Sequence, residues 1–294
     1  MKIGVIEYRE PPPKTAGELM EAIAKKGATP VYVKAHLMDA VIDGGVKVFY
    51  KGEELQLDAA LLRNIGFFMS VEIFFKRLGV IEALANNIPV VNHPAIAQVA
   101  RDKWRCLLKL KTAGLPVPET LLTENPFTAM RFVKERGLVV YKPLIGSLGM
   151  GSTLLADPEI AFHISRSARN VGVPVYLQQF LEKPGYDYRV FVIGDEVIGA
   201  MKRVSPIWKT NIAQGASGVA VSEKDEPEVF DLARKAVKVV GLDYAGVDIA
   251  FDNKTGKYYI LELNAFPNWE GLRAATGVNP PDHIVDYVIR KARR

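Results

Sequence analysis

The chain has 294 residues, 49% of them hydrophobic and 24% charged, and a formal net charge of +5. A chain of this length supports two or three sub-domains, and its longest apolar runs fall short of the roughly 18 residues a membrane span requires. The one cysteine, Cys106, excludes an internal disulfide and a cysteine-based metal cluster. The opening "MKIGVIEY" turns polar too soon for a signal peptide, so the expected setting is the cytoplasm, with no membrane partner. No block of five like charges occurs, and the only dense basic run is the terminal "RKARR". The mild positive excess therefore suits anionic small molecules better than nucleic acid.

In chain order, "KIGVIEY" predicts a strand, "TAGELMEAIAKKGA" a helix closed by Gly27, and "TPVYVKA" a strand. "VKVFYKGEELQL" predicts a hairpin around Lys51-Gly52. "AALLRN" and "IPVVN" read as strands flanking the helix "VEIFFKRLGVIEALANN". Alternating β and α units predict an open, mostly parallel sheet, whose ligands sit beyond the carboxyl ends of its strands. Glu7, Arg63, Asn64, Asn92 and His93 fall at such ends. One long helix, "IAQVARDKWRCLLKLKTAG", follows. Then come the helix "FTAMRFVKERG", the strand "LVVYKP", a glycine-rich loop, the strand "STLLA", the helix "PEIAFHISRSARN" and the strand "VYLQQFLE". "YRVFVIGDEVIGAMKR" predicts a hairpin turning on Gly194-Asp195. A helix over "EPEVFDLARKAVKVVG", a second hairpin over "AGVDIAFDNKTGKYYILEL" and a final helix over "DHIVDYVIRKARR" complete the chain.

Three stretches carry candidate chemistry. In "YYILELN", strand alternation sets Tyr258, Ile260, Glu262 and Asn264 on one face. With Asp252 opposite Gly256, Asp248 opposes Ile260, and a shift of two sets it opposite Glu262. In either register it shares the face of Glu262 and Asn264. Two carboxylates and an amide oxygen make a hard-oxygen site of the kind magnesium prefers, although a solvated sheet face also carries such acids. In "VVYKPLIGSLGMGS", Lys142 ends a strand, and Gly146, Gly149 and Gly151 let the backbone approach a phosphate closely. The loop is neither a Walker A loop nor a dinucleotide fingerprint, and a plain hairpin loop would also read this way.

The third stretch is "GYDYRVFVIGDEVIGAMKR". A two-residue turn at Gly194-Asp195 sets Arg189 opposite Ala200 and Asp187 opposite Lys202. Asp187, Arg189 and Lys202 then share a face, either as a surface salt-bridge cluster or as cations around a phosphate with an acid for a ribose hydroxyl. "WKTNIAQGASG" reads as a lid, a substrate loop or an ordinary connection. His36, His93, His163 and His283 share no spacing, so none is assigned to zinc, and no nucleophilic Ser or Cys sits in a recognisable elbow. Arg101 and Lys103 lie on an amphipathic helix where solvation is the ordinary reading, and Cys106 reads as core.

In order, these features resemble the ATP-grasp superfamily of carboxylate–amine ligases, and most closely the RimK-type α-L-glutamate ligases. "RDKWRCLLKLKTAGLPVPET", "YDYRVFVIGDEVIGAMKR", "AGVDI" and "LELNAFPNWEGL" carry the likeness, which covers roughly residues 98 to 280. "LLRNIG", "WKTNIAQGA" and the Pro-x-Trp ending are most similar to archaeal tetrahydromethanopterin:glutamate ligases. "WKTNIAQG" also resembles ligases of amino-group-carrier conjugates in lysine and arginine biosynthesis.

The resemblance implies an α/β (α+β) ATP-grasp fold. An N-terminal open parallel-sheet domain over residues 1–97 precedes two α+β lobes, over 98–183 and 184–294, that clamp ATP. It implies that Lys103, Lys142, Gly146, Ser147, Gly149, Gly151, Ser152 and Lys209 bind ATP. Gln179 and Phe180 would form the hinge and read adenine, and Asp187 would hold the ribose. Asp248, Glu262 and Asn264 would bind two ions of Mg²⁺ or Mn²⁺. Arg189, Lys202, Arg203 and Asn211 would surround the reacting groups. The implied reaction joins L-glutamate, or a similar amino acid, to a carboxylate acceptor through an acyl phosphate. The acceptor would be a small molecule, or a peptide or carrier-protein tail, and the enzyme a homo-oligomer. A nucleotide-binding protein of the same fold without turnover is the competing reading.

Overall fold

The computed structural model describes residues 1–66, 70–146, 150–210 and 215–294. The expectations on Ser147, Gly149 and Asn211 lie outside the described residues. Among the described residues no helix is long and apolar enough to cross a membrane.

The first sheet is parallel and runs in the order β2 (Thr29–Lys34), β1 (Lys2–Glu7), β6 (Ala59–Leu62), β7 (Val90–Val91). Residues 3–7 of β1 and all of β6 and β7 are buried, as expected of parallel strands covered on both faces. Helices α1 (Lys14–Lys25) and α2 (Val71–Ala85) supply crossovers between them. A small antiparallel sheet of β3 (Met38–Ile42), β4 (Val46–Tyr50) and β5 (Glu53–Glu54) lies between β2 and β6 in the chain. Its β4–β5 turn uses Lys51 and Gly52, both at positive φ, as a two-residue hairpin turn requires.

The expected single long helix is two. α3 (Pro94–Arg101) stops at Asp102, whose backbone is extended. α4 (Lys103–Thr112) starts there, with the Asp102 carboxylate accepting from the Arg105 amide at 3.0 Å. Aspartate competes well for an orphan amide at a helix start, and the break makes Lys103 the first residue of a helix.

The second sheet is antiparallel: β10 (Thr153–Leu155), β9 (Val139–Lys142), β11 (Val175–Gln179), β8 (Thr120–Thr123), with α5 (Pro126–Arg136) and α6 (Pro158–Asn170) packed together beside it. β9 and β10 are antiparallel neighbours, so the glycine loop joins strand to strand.

The third sheet runs β14 (Ser217–Ala220), β13 (Glu196–Val204), β12 (Tyr186–Ile193), β15 (Tyr244–Asp252), β16 (Lys257–Asn264), antiparallel throughout. α7 (Pro227–Val240) buries its apolar side against one face, which carries Tyr188, Val190, Val247, Ile249 and Ile260. The opposite face carries the charged residues of the candidate site. α8 (Glu270–Thr276) follows β16 and lies on β13 and β14. The last helix, α9 (Pro280–Ala292), returns to α1 and β6, so a cut of the chain at residue 97 would part α9 from the sheet it covers.

Two bulges set which side chains share a face. Between β15 and β16 the register runs Ile249 opposite Ile260 and then Asp248 opposite Glu262, which leaves Leu261 as an extra residue. Between β12 and β13, Phe191 opposes Gly199 while Val192 opposes Val197, which leaves Ile198 extra. An extra residue switches the alternation of its strand from there on.

Candidate active site

The first bulge corrects the expected face of β16. Tyr258 and Ile260 lie on the α7 face, and Glu262 and Asn264 cross to the other. Asp248 lies opposite Glu262, and Gly246 opposite Asn264, so the oxygen donors gather as expected, by way of Leu261. Asn264 Nδ2 donates to Glu262 Oε1 at 3.1 Å.

The second bulge corrects the expected partners of β12. Asp187 opposes Arg203, Arg189 opposes Met201, and Tyr188 opposes Lys202. Arg203 therefore joins Asp187 and Arg189, and Lys202 does not. Lys202 Nζ lies 2.9 Å from Glu226, 4.6 Å from the centre of the Tyr186 ring and 5.4 Å from that of Tyr188. Tyr188 and Tyr258 each donate to Glu226 at 2.7 Å. Burial alone would lower the Lys202 pKa, but Glu226 outweighs it and raises it. Lys202 is a tie between the sheet and the start of α7, on the side away from the charged cluster.

That cluster is buried. Arg203 holds Asp187 in a bidentate pair at 2.7 and 2.8 Å and reaches Asp248 Oδ2 at 3.1 Å. Burial alone would lower its pKa, but Asp248 and Asp187 hold it above the usual arginine value. Arg189 Nη1 is 2.8 Å from Asp248 Oδ1 without an aligned hydrogen bond, and neither atom has another hydrogen-bond partner among the described residues. Gly246 makes room for Arg189: a Cβ there would stand 2.7 Å from Arg189 Nη1. Asp187, expected on a ribose, has both oxygens engaged by Arg203, and Thr210 donates to it as well.

The second and third sheets meet in a pocket lined by Lys103, Lys142, Lys183, Arg203, Lys209, Asp187, Asp248 and Glu262 among others. Five cations against three carboxylates leave an excess of positive charge, which suits a polyanion. Lys103 Nζ donates to the carbonyls of Gly146 at 3.1 Å and Leu144 at 3.4 Å, so α4 and the glycine loop already touch. Lys142 donates to Gln178 Oε1 at 2.5 Å. Burial pulls the Lys142 pKa down to about 8, against the pull of Glu262, and burial also lowers those of Lys103 and Lys183. Gly151 (φ +74) and Gly146 fold over Pro143, where a Cβ on Gly151 would stand 2.8 Å from its ring. Ser152 and Lys209 line the same pocket, and Lys209 lies 5.2 Å from the Trp208 ring.

The donor set fits a hard divalent cation. Asp248 Oδ1 is buried without an aligned hydrogen bond, and Glu262 and Asn264 add oxygens on the same face. Among the described residues no three acids, imidazoles or thiolates are placed to hold one ion, and two carboxylates with an amide leave room for water and phosphate oxygens.

Other expectations come out differently. The amides of Gln179 and Phe180 donate to the carbonyls of Glu119 (2.8 Å) and Leu138 (3.4 Å), so neither N–H is available to adenine. Arg63 and Asn92 are buried ties rather than ligand groups. Arg63 donates to Tyr244 Oη at 3.2 Å and the Pro267 carbonyl at 3.0 Å and stacks 4.7 Å from Trp269. Glu7 is buried beneath Arg9. Cys106 is core, its thiol pushed up to about 12 by burial.

Sequence reasoning missed Lys183, Thr210 and Gln178. Lys183 donates to Thr210 at 2.8 Å and lies 3.9 Å from Asp187. Its place four residues before Asp187 was a usable signal. Gln178 had none, since only the pairing of β9 with β11 brings it to Lys142.

A family model of the RimK-like ATP-grasp domain matches residues 100–288. The tetrahydromethanopterin:alpha-L-glutamate ligase of Methanosarcina acetivorans is 31% identical, over 98% of this chain and 98% of that protein. The protein of the same name from Methanococcus maripaludis is also 31% identical, over 100% of this chain and 99% of that one. The solved structure of the ATP-grasp ligase PsnB with minimal precursor, Mg and ADP is similar at a TM-score of 0.75 and 26% identity, over 99% of this chain and 98% of that one. The chain belongs to the RimK-like ATP-grasp family and is an ATP-dependent ligase that forms a carbon–nitrogen bond.

Proposed function

We propose that the enzyme joins the α-amino group of L-glutamate to a carboxylate on a small-molecule acceptor, or on a peptide, and releases ADP and phosphate. The observation that carries this reading is the convergence of Asp248, Glu262 and Asn264 beside a pocket rich in lysine and arginine. The relatives named as α-L-glutamate ligases support glutamate, and the precursor in the PsnB structure supports a peptide as an alternative acceptor class.

A carboxylate does not acylate an amine in water, because hydroxide leaves poorly. Phosphorylation of the acceptor carboxylate gives an acyl phosphate whose leaving group is phosphate, and the amine then displaces it. Lys103 and Lys142 hold the phosphates from two sides, with Gly146, Gly151 and Ser152 beside them. Asp248, Glu262 and Asn264 hold two ions, Mg²⁺ or Mn²⁺, which when bound neutralise charge on the transferring phosphoryl group. Arg189 and Arg203 orient the acceptor carboxylate and stabilise the oxyanion that forms as the amine attacks. Exclusion of water from the pocket that Gly146, Ser152 and Trp208 help line shields the acyl phosphate from hydrolysis.

The test is incubation with ATP, Mg²⁺, L-glutamate and candidate acceptors: tetrahydromethanopterin-type pterins, carboxylate-ended coenzymes and acidic peptides. ADP release together with acceptor mass increased by one glutamyl residue supports the reading. Nucleotide binding without ADP release on any acceptor would instead fit a binding protein of the same fold.

A further inference from the structure

Asp248 and Thr210 stand at the two ends of an unbroken run of buried polar contacts. Arg203 Nη2 is 3.1 Å from Asp248 Oδ2, and the same guanidinium grips Asp187 at 2.7 and 2.8 Å. Thr210 Oγ1 donates to Asp187 Oδ2, the oxygen that also accepts from Arg203 Nη2. It accepts in turn from Lys183 Nζ at 2.8 Å. Asp248, Arg203, Asp187 and Thr210 are each no more than 3% exposed. Trp208 and Lys209, just before Thr210, line the same pocket.

We infer that cation occupancy at Asp248 and the seating of residues 205–210 are coupled through Arg203 and Asp187, with Thr210 as a positioning residue. The inference rests on the reading of Asp248 as a metal ligand. A dication at Asp248 competes for the lone pairs that Arg203 uses and repels its guanidinium. The other carboxylate that Arg203 already bonds is Asp187, and as its hold there tightens it competes with Thr210 for Oδ2. The Thr210 hydroxyl then gives way, and the segment it tethers shifts. Coupling between two equilibria is reciprocal, so the Thr210–Asp187 bond opposes cation binding as much as the cation opposes that bond. Removal of the hydroxyl frees an acceptor site on Asp187 and makes the release of Asp248 by Arg203 easier.

The experiment follows Mn²⁺ binding by the electron paramagnetic resonance signal of the free ion. Wild type, Thr210→Val, Thr210→Ser and Glu262→Gln are compared. Thr210→Val is expected to bind Mn²⁺ about fivefold more tightly than wild type, and Thr210→Ser, which keeps the hydroxyl, to match wild type. In parallel, Mg²⁺ is titrated while Trp208 emission is read as the difference from Trp208→Phe. Wild type is expected to respond, and Thr210→Val to respond less. Wild-type Mn²⁺ affinity in Thr210→Val with an undiminished Trp208 response overturns the coupling. If Thr210→Val does not fold, Trp208 emission indifferent to Mg²⁺ in wild type overturns it alone. Wild-type Mn²⁺ binding by Glu262→Gln removes the metal reading itself, so the two failures are told apart.

Discussion

Asn92 Nδ2 lies 2.8 Å from the carbonyl oxygen of Ala265, the residue that follows Asn264. The same amide donates to the Tyr244 carbonyl at 2.9 Å, and Oδ1 accepts from the amides of Asp243 (2.7 Å) and Tyr244 (3.1 Å). One fully buried side chain at the end of β7 thus holds the start of β15 and the exit of β16. Those are the two strands that carry the metal-ligand candidates. Glu18 on α1 adds a second clamp, accepting from Trp269 Nε1 at 2.5 Å and from Arg273 at 2.9 Å twice.

Asn92→Ala leaves two carbonyls and two amides buried without their partner. We expect a loss of about 3 kcal/mol in chemical denaturation, together with weaker Mn²⁺ binding. A midpoint equal to wild type would remove the clamp.

Glu262→Gln is expected to lower turnover by roughly 100-fold or more with the fold intact. Asp248→Asn should do the same and also cost about 3 kcal/mol of stability, because it leaves Arg203 and Arg189 facing a neutral amide in a buried site. Steady-state ADP release and thermal melting, measured side by side, separate the two effects.

Lys202 and Arg203 are adjacent but face opposite sides of the sheet. Lys202→Met should keep turnover within about threefold, because Glu226 retains its bonds from Tyr188 and Tyr258. Arg203→Met should abolish it. Equal loss in both variants would restore Lys202 to the site and refute the observed register.

Lys142 holds its proton only to about 8 in the folded chain, against about 10.4 unfolded. The unfolded state therefore binds more protons between those values, and stability should rise with pH across that window. Lys142→Met should flatten the rise. A bound phosphate favours the charged amine, so nucleotide binding near pH 8.5 should take up a proton. Calorimetry in buffers of different ionisation enthalpy reads this uptake, and Lys142→Met should eliminate it.

The alternation of apolar and polar residues, the turn residues and the glycine spacing determined much of this protein without tertiary information. They marked the parallel first sheet, the two hairpins of the third sheet, the oxygen donors Asp248, Glu262 and Asn264, and Lys142 before its glycines, whereas Lys103 joined them only through the family resemblance. Those signals are local: a strand's faces, a turn at Gly194 or a glycine after a strand depends on a few neighbouring residues.

Only the folded chain decided which of these residues meet. The extra residues at Ile198 and Leu261 cost nothing visible in the pattern, yet each moves a charged side chain to the other face. One exchanged Lys202 for Arg203, and the other brought Glu262 round to Asp248. Asp102 broke a helix whose apolar period runs on without interruption, because a cap is decided by one carboxylate and one amide. Gln178, Thr210 and Asn92 carry no periodic signature either. Their roles depend on partners far along the chain, and only packing brings such partners within hydrogen-bonding distance.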